Sequence, residues 1–524
     1  MITEHIHCGS ENDDFEQRRA FLRKTDIAKR IAAILFYAVF SCCMLFIVCV
    51  SFLKPLHYLV PWKMMMATAV FCALFLLFLA IWNKLPERFG TSKILPAVLA
   101  AFQIILIWTV TLLHGKHLGV GDYFIVYQSA SELADGTPLT YYNYFCVYGN
   151  NTLPMILLSG LIKISRIIHL PETILLLFVS TAILALVFFA LFVLTKEFSE
   201  KIRIPMLLFF AVWLPVYVFA GTFYTDTLSF GMGIISLAFL KTAVEKKKYY
   251  FILPAALSAA WGFCFKITSV IPLIAAVIVF VFFGIPGKVE KKDGKRIFVC
   301  MIVYLSLIGV LLLGIKGVSS GIDVYRDSKN KSNPLTAWIG MGMSGNGSYV
   351  DNVEFSDEMN ALATKDEKSE LAKAYIKDHI AEAFSFSHNV AKTQYNYASG
   401  MFSCYDYTYP DEFGSIMYKL LDPGGALFGR SCQFTFCLIS IVYLSFLYGS
   451  IKAIVSLIKN RDKKVSEILS FPKVLADVSM FGTIVFLSLW EANNRQLYNQ
   501  LPILILALFT NAWDLIENVK NKRR

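Results

Sequence analysis

The chain has 524 residues, of which 56% are hydrophobic and only 17% charged, with a formal net charge of +11. Repeated apolar runs of about 18 or more residues match the hydrocarbon thickness of a bilayer, which excludes an ordinary soluble domain. Because the runs are continuous rather than alternating, they also exclude a β-barrel.

Residues 1–29 are polar, contain RRAFLRK and lack the short apolar core and small-residue cleavage site of a secretory signal, so they read as a retained cytoplasmic segment. Helical spans are expected near Ile31–Phe52, Lys63–Trp82, Ile94–Leu113, Glu172–Leu194, Ile204–Ala220, Thr227–Thr242, Tyr250–Phe265, Ile267–Phe283, Ile297–Ile315, Arg430–Ile451, Lys473–Leu489 and Tyr498–Leu515. The fold class is thus an all-α polytopic membrane protein of about twelve transmembrane helices.

The apolar stretch Asn151–Leu170 decides the topology. Counted as a span, it puts every later basic loop on the side opposite the basic N-terminus. Treated as interfacial or re-entrant, it leaves Lys196/Lys201/Arg203, Lys246–Lys248, Lys288–Arg296, Lys459–Lys464 and the tail KNKRR all on the N-terminal side, as the positive-inside tendency requires. The basic excess is therefore a topology signal, with no nucleic-acid partner implied. The resulting organisation is a transmembrane module 30–316 with an external loop 114–171, an extracellular region 317–429, C-terminal transmembrane helices 430–516 and a basic cytoplasmic tail 517–524. Within the extracellular region, SDEMNALATKDEKSELAKAYIKDHIAEAFSF has apolar spacing suited to an amphipathic helix with its charges in solvent.

Most of the 11 cysteines lie in or beside apolar runs, and none forms a metal-type CxxC pair. Cys146 and Cys404 fall in external segments and are the one candidate disulfide.

Polar residues interrupt the apolar pattern at four places assigned to one face. Asp122 begins a short aromatic amphipathic segment ending at Gly136, and it serves either as a helix cap or as a surface base. Asp226 sits in AGTFYTDTLSF, between two apolar runs. Lys266, in WGFCFKITSVIP, needs an anion or a route to the surface by snorkelling. Arg495, in SLWEANNRQLYNQLP, has a planar fork suited to phosphate oxygens, or pairs with Glu491 in a structural bridge. Two acids and two cations together suit an anionic ligand and a proton acceptor.

These motifs resemble, in order and placement, those of the GT-C superfamily of polytopic glycosyltransferases. The resemblance is to a group from Gram-positive bacteria related to the protein mannosyltransferase and lipid A aminoarabinose transferase families. It is carried by Gly121-Asp122 in the first large external loop, the helix ending ADG, YNYFCVYGNNTLPMILL, FYTDT, FKITSVIPLIA, LTAWIGMGMSGNGSY and LWEANNRQLYNQLP. It implies an inverting transfer of a monosaccharide from a polyprenyl-phosphate carrier to an acceptor at the external face of the cell membrane; a cell-wall or surface polysaccharide is favoured, with a protein or lipid acceptor left open. It implies Asp122 as general base and Asp226 as a second catalytic acid that orients acceptor or sugar. Tyr224, Lys266, Trp338, Glu491 and Arg495 are implied for substrate binding. The first loop has no second acid adjacent to Asp122, so no metal site is assigned, although a divalent metal is left open. Membrane lipids, the lipid-linked donor and a glycan acceptor are the partners implied. A multi-span transporter, flippase or polymerase of lipid-linked saccharides is the competing reading.

Overall fold

The architecture is taken from a computed structural model that describes residues 8–56, 59–86, 94–114, 121–196, 200–283, 294–404 and 416–522. Residues 288–293 and 523–524 of the basic clusters, and Gly119 and Val120 of the first-loop motif, lie outside the described residues.

The described chain is helical throughout. Helices α1 (Cys8–Leu53), α2 (Pro61–Lys84) and α3 (Ile94–His114) lead into three shorter ones, α4 (Asp122–Asp135), α5 (Tyr142–Val147) and α6 (Thr152–Ile167). The chain returns as α7 (Glu172–Thr195), α8 (Arg203–Ala211), α9 (Leu214–Gly221), α10 (Thr225–Leu228), α11 (Met232–Glu245), α12 (Ile252–Phe265), α13 (Ile271–Phe283) and α14 (Gly294–Ser319). A long segment follows with α15 (Asp323–Lys331), α16 (Leu335–Met341), α17 (Val353–Ala361), α18 (Lys365–Ala383), α19 (Phe386–Tyr397) and α20 (Ile416–Leu421). The last helices are α21 (Phe428–Lys459), α22 (Val465–Ile468), α23 (Phe471–Leu489) and α24 (Arg495–Lys522).

Among the described residues, 9 helices are long and apolar enough to cross a bilayer, and every one coincides with an expected span. The other three expected spans fall on shorter or broken helices. Ile204–Ala220 is a pair, α8 and α9, bent by 68°. The bend is fixed where Trp213, fully buried, donates its indole N–H to the Gly400 carbonyl at 3.0 Å. Tyr250–Phe265 and Ile267–Phe283 are short apolar helices meeting at Lys266.

Burial sorts the spans. In the most apolar window of α24, 83% of residues are buried, against 11% for the span in α14, so α24 is the central helix and α14 faces outward to lipid. The buried face of α24 runs through Leu501, Leu504, Leu508 and Trp513. Around it α1 packs on α21, where Phe40 meets Phe446 edge to face at 5.9 Å.

Hydrogen bonds from Arg30, Lys201 and Trp82 bring basic loops to one end of the bundle. Arg30, early in α1, donates to the carbonyls of Leu457 at 2.7 Å and Asn460 at 2.8 Å, beside the lysines after α21. Lys201 reaches the carbonyls of Asn83 and Leu85, both at 3.3 Å, and Trp82 donates to the Lys201 carbonyl at 2.8 Å. The loops after α2, α7 and α21 therefore share an end, as they do when residues 151–170 are left out of the span count. Those residues form α6, whose 16 residues fall short of the roughly 20 a span requires. Its buried face, Met155, Leu158, Ser159 and Ile162, has helical spacing and packs on α4, while Lys163 and Ile164 point outward.

Two expectations need correction. The stretch expected as one amphipathic helix is two, α17 and α18, because Thr364 and Glu367 form a reciprocal capping box that starts a new helix. Cys146 and Cys404 are each buried as thiols, with no disulfide between them.

Candidate functional site

The site lies at the end opposite the basic loops and is built where regular helices stop. Helix α4 starts at Asp122 and closes at Gly136, whose φ of +70° lets its N–H turn back to the last-turn carbonyls. Asp122 occupies the first helical position and caps nothing. Its Oδ1 accepts from the Tyr144 hydroxyl at 2.7 Å, and its Oδ2 lies 3.5 Å from that of Tyr224. Asn151 completes the network, donating to Tyr144 Oη at 2.6 Å and accepting from Tyr224 Oη at 3.0 Å. Asp122 itself is partly exposed, so a substrate can reach it.

Asp226 comes from the break between α9 and α11. Hydroxyls satisfy the backbone there: Thr227 donates to the Phe219 carbonyl at 2.6 Å, and Ser229 to that of Thr225 at 2.6 Å. Asp226 is 1% exposed and accepts from Lys266 Nζ through Oδ1, while Oδ2 lies 3.7 Å from an Arg495 guanidinium nitrogen. The Lys266 side chain is 10% exposed, so it is held by an anion and does not snorkel to water. Arg495 reaches Asp226, across 269 residues of sequence by subtraction, and also donates Nε to Asn493 at 3.3 Å. The irregular turn after Lys266 is held by α24, where Asn499 donates to Ser269 Oγ at 3.0 Å and Gln500 to the Thr268 carbonyl at 2.7 Å.

The long segment docks on the 488–493 stretch beside the site through a stripe on α19 that sequence reasoning missed. His388, Lys392 and Asn396 repeat at every fourth residue, so they share one face, and all three are buried. His388 Nδ1 lies 2.9 Å from the Gly345 carbonyl, Lys392 Nζ donates to the carbonyls of Gly342 and Ser488, and Asn396 Oδ1 accepts from the Asn493 N–H at 2.9 Å. Burial pulls the Lys392 ammonium down to about 7. Gly342 is required by proximity: a Cβ there would lie 2.5 Å from the Leu489 carbonyl oxygen and 2.6 Å from that of Trp490. The MGMSGNGS turn is thus seated on the WEANN loop, with a backbone bond from the Ala492 N–H to the Gly347 carbonyl at 2.7 Å.

Glu491 sits in that loop within electrostatic reach of both halves of the site. Burial and the Asp122 carboxylate push its carboxyl from 4.5 up to about 7, against the pull of Lys266. A carboxyl raised on folding contributes stability that is complete below about pH 4.5 and lost as pH rises through about 7. Glu491→Gln should remove that dependence. Its apparent melting temperature in detergent should gain on wild type progressively between pH 5 and 8, and parallel curves would refute the assignment.

Trp338 stands on the flank, 6.3 Å from Tyr148 and 6.5 Å from Trp490 between ring centres. The structure therefore brings Asp122, Tyr224, Asp226, Lys266, Glu491 and Arg495 into one neighbourhood, with Trp338 beside it. Tyr144, Asn151, Lys392 and Asn396 are the additions. Away from this cluster, a cavity of about 410 Å³ opens at the α8–α9 bend, lined mainly by apolar side chains including Leu214, Leu420 and Phe434, with Arg430 on its wall. Among the described residues no group of three or more His, Cys, Asp or Glu is placed to hold a metal.

No curated protein and no solved structure matches the chain. One family does, over residues 25–406, a stretch that includes Asp122, Asp226, Lys266 and Trp338 and ends before Glu491 and Arg495. With nearly three quarters of its length matched, this polytopic chain belongs to the family described as conserved hypothetical integral membrane protein.

Proposed function

We propose that the protein is an inverting glycosyltransferase of GT-C type, using a polyprenyl-phosphate-linked monosaccharide at the external face of the cell membrane. The observation that carries this reading is the pairing of a partly exposed carboxylate, Asp122, with a buried cation pair, Lys266 and Arg495, assembled from three distant parts of the chain. Positive-inside logic puts the basic end in the cytoplasm and this cluster outside.

In the reaction, Asp122 takes the proton of the acceptor hydroxyl as its oxygen attacks the anomeric carbon. The bond from that carbon to the phosphate oxygen breaks on the opposite face, and the electron pair leaves with the lipid phosphate. Lys266 and Arg495 stabilise the charge that develops there. Asp226 fixes both cations in position, which replaces the sugar-orienting role implied by resemblance. Tyr144, Tyr224 and Asn151 aim the base. The Glu491 carboxyl, held up near 7, carries less than a full negative charge near neutral pH, which lessens its repulsion of a phosphate. The cavity at the α8–α9 bend suits part of the prenyl chain, and Arg430 on its wall suits an anionic lipid.

Mass spectrometry of lipids co-purified with wild-type protein tests the donor class. Enrichment of a polyprenyl-phosphate hexose or related monosaccharide supports the reading. Uptake of a soluble sugar by sealed vesicles, without consumption of any lipid-linked sugar, contradicts it and selects a transporter.

A further inference from the structure

Four aromatic rings continue from the Asp122 network into the long segment. Tyr144, hydrogen-bonded to Asp122, lies 4.9 Å from Tyr148; Tyr148 lies 6.3 Å from Trp338; and Trp338 lies 6.5 Å from Trp490 with the two planes only 17° apart. Phe486 backs Trp490 at 5.0 Å. The four rings are half-buried, so each keeps an accessible part. They come from α5, α16 and the end of α23, three segments with no local reason to align indoles and phenols.

Around Tyr148 the rim of this run is lined by uncharged polar groups. The Tyr148 hydroxyl lies among Tyr349, Ser356 and Asn360. Asn333 donates a backbone N–H to the Val147 carbonyl at 2.9 Å and a side-chain N–H toward Asn360 at 3.4 Å. Its Oδ1 is buried with no hydrogen-bond partner among the described residues. The cations of the site stand apart with Asp226. Aromatic faces meet the C–H face of a pyranose ring, while hydroxyls and carboxamides meet its hydroxyls. A prenyl chain would want apolar walls without such a rim, as the cavity at the α8–α9 bend provides.

We propose that the run Tyr148–Trp338–Trp490 is a binding subsite for a neutral glycan, which presents its terminal hydroxyl to Asp122. That this glycan is the acceptor rests on the transferase reading; that a glycan binds does not.

The test uses the full-length protein in detergent micelles. Indole fluorescence and saturation-transfer NMR are recorded with neutral tetrasaccharides of hexose and of N-acetylhexosamine, and separately with polyprenyl phosphate. At least one tetrasaccharide should bind wild type; Trp338→Ala should weaken it about tenfold, and Trp338→Phe should largely retain it. Binding of no tetrasaccharide, equal binding by Trp338→Ala, or an indole response to polyprenyl phosphate alone each overturns the proposal. Glycan binding lost in Trp338→Ala without consumption of lipid-linked sugar would sink the transferase reading and spare the subsite. Sugar transfer with an unchanged acceptor KM in Trp338→Ala would do the reverse.

Discussion

Asp226→Asn is expected to be the most destabilising single change at this site. Asp226 is 1% exposed and is the anion shared by Lys266 and Arg495, whose side chains are 10% and 17% exposed. Asparagine fills the same volume but removes the carboxylate that both cations share. Breaking a buried ion pair from one side costs about 3–5 kcal/mol, mostly as uncompensated charge. The variant should therefore show a clearly lower apparent melting temperature and poorer yield in detergent. The double variant Asp226→Asn/Lys266→Met removes one of the stranded charges and should recover part of that loss, whereas additive losses would show that the three groups are not energetically coupled.

Asp122→Asn should do the opposite, sparing the fold and removing the chemistry. The amide oxygen can still accept from Tyr144, and the side chain is partly exposed, so packing is kept. What disappears is the capacity to take a proton, for which general-base catalysis supplies about 10²–10⁴ in rate. Transfer should fall by that factor, with affinity for the lipid-linked donor near that of wild type because Lys266 and Arg495 are untouched. A loss confined to donor affinity would reassign Asp122 to binding.

Much of this arrangement was legible in the sequence because charge is conspicuous in an apolar chain. Asp226 and Lys266 break otherwise continuous runs, and their isolation from any neighbouring counter-charge predicts a distant partner, which each supplies to the other. The basic loops carried the topology in the same way. Neutral partners carry no such signal. Tyr144 and Asn151 look like ordinary interface residues until folding places them on Asp122, and so the capping alternative for Asp122 could not be dismissed from its position alone.

Local spacing also misled where a side chain had an unexpected use. Glu367 reads as part of a solvated face, yet it and Thr364 cap one another and split the helix. Lys392 carries no signal by itself in the sequence, but the every-fourth-residue repeat with His388 and Asn396 marks a buried polar face. That repeat was the available clue to the docking of the long segment on the WEANN loop.

The account's central claim is that Asp122 is the base of a lipid-linked sugar transfer. It is tested most directly by reconstituting wild type and Asp122→Asn in liposomes with a polyprenyl-phosphate-linked sugar and a glycan acceptor, and following appearance of the extended glycan. The account predicts product with wild type and at least about a hundredfold less with Asp122→Asn at equal protein stability. Equal product from the two proteins would contradict it.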